Sequence, residues 1–184
     1  MPKRTRTFGI AILAALAAAP LLAQTEGGEP DPLIESVQDA ASYVRDMLTK
    51  AADQMSEEDY AFKPTADVRT FGQLLAHVAD SNYGFCSAAR GEKRPVADVE
   101  KTRTNRDDIR KVLSESFAYC DGAYAAMTDT TQAKTVVDFM GKRRPRLAVL
   151  MFRTNHSLLH YGNVVTYMRL RGKVPPSSAP RPEK

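Results

Sequence analysis

Three histidines occur in this 184-residue chain, and two of them, His156 and His160, stand four apart in the segment NHSLLHYGNVV. Residues at that spacing on an α-helix lie on one face, one turn above the other. Two imidazoles so placed can share one metal ion. The third histidine, His77, lies in another apolar segment, FGQLLAHVAD. Delivered by a second helix, it would complete three nitrogen ligands and leave coordination positions for water or substrate. The competing reading is three histidines satisfied by backbone and hydroxyl groups in or beside the core. Spacing alone leaves both open. Ser157 stands where an H-E-x-x-H zinc protease keeps its glutamate base, which disfavours ordinary metalloprotease chemistry. Asp80, three residues after His77, is a candidate to orient that ring or to act as an acid/base group. The alternative for Asp80 is a solvated helix carboxylate. Tyr83 and Tyr161 suit a pocket wall or core packing.

The elements that must carry these residues follow from apolar periodicity and end signals. Asp31-Pro32 reads as an N-cap followed by proline at the first helical position. Leu33, Val37, Ala40, Val44, Leu48 and Ala51 then recur at helical spacing, predicting an amphipathic helix to about Met55. Ser56 to Val68 reads as a connector. Thr70 with Gln73 fits a capping box that opens a second helix, which runs to Arg90 and stops at Gly91. Pro95 to Thr104 reads as a loop. Asn105 with Asp108 caps a third helix whose inward stripe is Ile109, Val112, Leu113, Ser116, Cys120, Ala123 and Met127. Thr135 to Met140 alternates weakly, as a short extended piece, and Gly141 to Arg144 reads as a turn. Pro145 opens a fourth helix that ends near Arg171, before Gly172. On its wheel Val149, Phe152, His156, Leu159, His160, Asn163 and Tyr167 share one broad face, predicted to point inward. Four such helices with almost no strand signal predict an all-α four-helix bundle.

The amino terminus reads as an export signal. Lys3, Arg4 and Arg6 precede an alanine- and leucine-rich run from Phe8 to Ala23, too short to span a bilayer comfortably. Cleavage after Ala23 would leave a linker over residues 24–31, a domain over 32–176 and a disordered tail over 177–184. An uncleaved anchor is the alternative. The leader holds three basic residues and no acidic ones, so the remaining chain carries 23 basic against 22 acidic side chains. That near balance makes no electrostatic case for nucleic acid. Lys142, Arg143, Arg144 and Arg146 form a local basic cluster that reads as a solvated loop. Cys86 and Cys120 either pair, as an exported chain permits, or sit in their helices as small buried hydrophobes.

The chain resembles the DinB-like (DinB/YfiT) superfamily over about residues 32–176. The segments that carry the likeness are FKPTADVRTFGQLLAHVADSNYGF around His77 and MFRTNHSLLHYGNVVTYMRLRGKVPP around His156 and His160. The resemblance implies a four-helix bundle that holds a divalent ion, zinc or nickel, on His77, His156 and His160. Many members carry Arg-Gly-Gln after the last histidine; here Tyr161-Gly162-Asn163 follows, and Asn163 offers a shorter amide beside the ligands. Relatives of this kind include transferases and maleylpyruvate isomerases that use cytoplasmic thiol cofactors. The expectation is therefore a periplasmic or secreted metal-dependent hydrolase or transferase acting on a small molecule. A non-catalytic metal or small-ligand binding module, a thiol-dependent S-transferase and a purely structural bundle are the alternatives. No nucleic-acid partner and no stable membrane span after cleavage are expected, and a homodimer is left open.

Overall fold

The computed structural model describes Met1 and residues 31–180. The expected leader, most of the linker and residues 181–184 lie outside the described residues. Elsewhere the protein is mostly helical. Four long helices, α1 (Pro32–Gln54), α3 (Phe71–Arg90), α5 (Arg106–Ala125) and α7 (Arg146–Leu170), pack around a shared apolar interior. Helix α3 packs on both α5 and α7, and α1 closes against α7 and α5. Three short helices lie in the connections: α2 (Glu57–Ala61), α4 (Val99–Thr102) and α6 (Thr130–Lys134). A two-stranded ribbon, β1 (Val136–Phe139) with β2 (Lys142–Pro145), precedes α7.

The helix ends follow the expected chemistry. Asp31 accepts from the Leu33 N–H, and Pro32 begins α1. Thr70 and Gln73 form a reciprocal capping box, satisfying two of the donors that a helix start leaves free. Gly91 closes α3 at φ 69°, a left-handed conformation that glycine adopts without a Cβ penalty. Asn105 accepts from the Asp108 N–H at the start of α5.

Burial corrects the wheel in two places. In the first turns of α1 the interior takes Ile34 and Ala41, while Leu33 is exposed and Ala40 faces solvent. Both registers lie three or four residues from Val37, so periodicity permits either and packing against neighbours selects one. On α7 the buried stripe is Val149, Leu150, Arg153, Thr154, Ser157, Tyr161, Val164, Tyr167 and Met168. Phe152, Leu159 and Asn163 are exposed, so the inward face drawn for them does not form. His156 and His160 lie half-buried on the flank of that stripe. Arg153 and Thr154 go inside with specific partners, Asn82 and Tyr124, which residue type alone does not announce, whereas the buried Ser157 hydroxyl has none among the described residues.

The connections differ as well. Glu57–Ala61 and Val99–Thr102 are helical where a connector and a loop were expected. The Gly141–Arg144 turn narrows to Met140 and Gly141, and Lys142 onward pairs as a strand with Asp138 opposite Arg143. Pro176–Ser178 forms a 3₁₀ turn, and the Ser177 N–H donates to Tyr161 Oη at 3.0 Å, so the tail is tied down there rather than disordered from residue 177. Arg146 of the basic cluster, at the start of α7, donates to the Ala89 carbonyl of α3 and to Gln132 of α6, tying the three helices together. Cys86 and Cys120 are bonded, joining α3 to α5 with Cα atoms 5.3 Å apart.

Beside the disulfide runs a buried polar chain. The Asn82 amide donates to Ser116 Oγ, and Arg153 Nε donates to Asn82 Oδ1 at 2.8 Å. The Arg153 guanidinium lies over the Phe117 ring at 5.0 Å from its centroid. Burial lowers its pKa, but arginine keeps its charge at neutral pH. The chain thus ties α3, α5 and α7 together.

Candidate metal centre

Helix α3 supplies His77 and helix α7 supplies His156 and His160, and these helices pack directly on one another. One ligand atom from each of the three rings lies within 4.8 Å of the others. His156 Nε2 and His160 Nε2 face each other at 3.1 Å. Nitrogens each about 2.0–2.1 Å from one tetrahedral ion stand roughly 3.3 Å apart, so this pair already has the spacing of two ligands. The Nδ1 atoms of both rings are buried without a hydrogen-bond partner. Their Nε2 ends, turned toward a common point, are the polar outlets the rings have. The donor set is therefore one that a divalent ion fits.

Electrostatics favour the ligand form of the α7 pair. Burial, then the neighbouring His156 and His77 rings, push His160 down to about 4. Burial, then His77 and Arg153, lower His156 as well. Both rings are neutral near pH 7, and a metal needs the neutral imidazole.

The carboxylate on the third ring is Glu100, from the short helix α4 in the segment expected to be a loop. Glu100 Oε2 lies 3.2 Å from His77 Nδ1. A carboxylate can only accept, so Nδ1 carries the proton and Nε2 keeps its lone pair for the metal. Arg69 Nε donates to the other oxygen, Glu100 Oε1, at 2.8 Å. Burial works to raise the Glu100 carboxyl, but the hydrogen bond and charge of Arg69, with those of His77, outweigh it and hold it below the usual range. Asp80 makes no hydrogen bond to the His77 ring. It pairs with Arg94 and accepts from the Glu100 N–H at 2.9 Å. Asp80 thus pins the segment that delivers Glu100. A helical turn read in Val99–Thr102, with Asp98 before it, was the available signal.

Other candidates fall elsewhere. Asn163 is exposed on the rim of a cavity of about 650 Å³ that Arg69, Glu100 and His160 also line, and no hydrogen bond fixes it to the ligands. Tyr83 and Tyr161 are both buried in the core. Because the outer carboxylate of a metal-bound histidine typically contributes 10–100-fold in affinity, Glu100→Gln is expected to weaken metal binding by about that factor. Competition with a chromogenic chelator measures it; an unchanged affinity would remove Glu100 from the site.

The comparisons agree with this architecture. A DinB-like protein from Bacillus cereus ATCC 10987 superposes with a TM-score of 0.69 at 20% identity, over 78% of this chain and 95% of that one. The mycothiol-dependent maleylpyruvate isomerase superposes with a TM-score of 0.57 at 19% identity, over 71% of this chain but only 60% of its own. The uncharacterized protein YjoA of Bacillus subtilis (strain 168) is 23% identical over 133 residues, 70% of this chain and 84% of its own. At such identities the solved structures speak for the fold alone. The DinB superfamily pattern matches residues 40–164, which covers α3 and α5, most of α1 and α7, and all three histidines, and the chain therefore belongs to the DinB superfamily.

Proposed function

We propose that this protein is an exported, metal-dependent enzyme, a hydrolase or transferase of small molecules, built on a four-helix bundle. The observation that carries the reading is the convergence of His77, His156 and His160 within 4.8 Å, backed by Glu100 on His77. Zinc or nickel suits such a neutral nitrogen set. Three protein ligands leave a coordination position, and a divalent ion bound there supplies Lewis acidity to polarise a substrate oxygen or acidify water. The chain itself does the rest. Glu100 sets the His77 tautomer, Arg69 and Asp80 hold Glu100, and a cavity of about 650 Å³ opens beside His160. Export is supported by the basic and apolar leader and by the disulfide, which persists in oxidising compartments. Among the described residues no helix is long and apolar enough to cross a membrane.

Protein purified without a polyhistidine tag is expected to carry close to one divalent ion per chain. Its cobalt-substituted form should change its visible spectrum on titration with small anions. No metal after supplementation would sink the site, and a spectrum that never responds would leave a closed, non-catalytic centre. Chemical sequencing of the protein recovered outside the cytoplasm should begin near Gln24; soluble cytoplasmic protein retaining Met1 would end the export reading. A second reading is thiol-dependent transfer, suggested by the name of the mycothiol-dependent maleylpyruvate isomerase whose fold this chain shares. Addition of a low-molecular-weight thiol to the cobalt form tests it, through the intense thiolate band that ligation would produce.

A further inference from the structure

The histidine cluster forms a partition between two unlike cavities. His160 lines the polar one of about 650 Å³, with Lys63, Arg69, Gln73 and Glu100. His77 lines the other, of about 440 Å³, which Phe85, Phe139 and Met140 wall with apolar surface and the paired Asp80 and Arg94, with Asp98, edge with charge. Phe85 and Phe139 stand with ring centroids 5.4 Å apart, and Phe152 lies 5.8 Å from Phe85 and 5.9 Å from Phe139. The Phe85 ring in turn contacts the His156 ring at 5.3 Å. An apolar wall is therefore continuous with two of the metal-ligating imidazoles. Cavities of this size, mostly apolar with a few fixed polar groups, are the form small-ligand sites take.

The hairpin that completes this wall carries an independent signal. Met140 and Gly141 are the two central residues between paired Phe139 and Lys142, and both have positive φ, 50° and 71°. That is the type I′ pattern, in which asparagine, aspartate or glycine is favoured at the first position. Methionine is poorly suited to a left-handed backbone, and its side chain here is 76% exposed. Neither turn geometry nor core packing accounts for it. A flexible, polarisable side chain held at a cavity mouth despite the backbone penalty fits a contact that a ligand completes.

We infer that the cavity walled by Phe85, Phe139 and Met140 is a specificity subsite for an aromatic or branched apolar group. The rest of that substrate, a small acyl or carboxylate-bearing compound, would ligate the metal through oxygen and turn its polar part toward Arg69 and Lys63. The inference rests on the metal-site reading above. Its test uses the full chain loaded with cobalt and two probes, acetohydroxamate and benzohydroxamate, which share a metal-chelating head and differ in the apolar group. Benzohydroxamate is expected to bind about tenfold tighter, the order of effect of burying a phenyl ring against an apolar wall. Met140→Asn should reduce that ratio severalfold with the acetohydroxamate affinity unchanged, and Phe85→Ala should reduce the ratio at least as far. Met140→Asn should also keep or raise Tm, because asparagine suits the turn better. Spectral responses with no preference for benzohydroxamate, or a preference that survives both substitutions, would overturn the subsite alone. No response to either hydroxamate would mean a closed centre and would overturn the enzyme reading and the subsite with it, while failure to take up cobalt at all would overturn the metal site itself.

Discussion

Replacing His160 by alanine is expected to abolish stoichiometric metal binding and leave the fold intact. Removal of an inner ligand should cost well beyond the 10–100-fold of an outer partner. The helices should survive, because the His160 ring is half-buried, shares one hydrogen bond with His156 and has a buried Nδ1 without a partner. The metal-free variant should therefore melt no lower than the metal-free parent. His77→Ala and His156→Ala should behave alike in metal content. Elemental analysis with circular dichroism decides the matter; full metal content in all three variants would reject the site.

Acidification should act on the same rings in a defined direction. The folded His160 is held near 4 and His156 is lowered, against about 6.5 in the unfolded chain. The unfolded state therefore takes up protons first. In the metal-free protein this contribution to stability is fully present above about pH 6.5 and is lost as pH falls toward 4. Protons also compete weakly for the folded rings, so bound metal should persist to lower pH than at ordinary histidines. Metal release complete by pH 6.5 in a dialysis series would contradict this.

The second large effect belongs to the disulfide. Cys86 and Cys120 are 34 residues apart and bridge α3 to α5. Chain-entropy reasoning for a loop of that length assigns about 4 kcal/mol to the crosslink. The double variant Cys86→Ala, Cys120→Ala should then lose roughly 8–16 °C in Tm at this chain length. Both residues are buried beside the Asn82–Ser116–Arg153 chain, so loosening there should also disturb the helix carrying His77. Calorimetry with and without reductant is the measurement. An unchanged Tm would show that the bond is absent or idle in solution.

The four long helices were legible because their signals are local. The Asp31, Thr70 and Asn105 caps, the Gly91 stop and the three- and four-residue apolar spacings involve only near neighbours in the chain. The candidate ligands were legible for the same reason, since the i, i+4 spacing of His156 and His160 is itself a distance. What α7 buries was not. Arg153, Thr154 and Ser157 lie inside while Phe152 and Leu159 lie outside. Arg153 goes in because it finds Asn82 and Phe117, 71 and 36 residues away. Glu100 was hidden likewise: its contacts with His77 and Arg69 bring together three separate stretches of chain, and Asp80 holds it there from yet another turn of α3. Sequence alone determined which residues could ligate, through local helical geometry. Tertiary structure decided that they converge, which carboxylate orients them and what walls surround them, because those contacts depend on how distant segments pack.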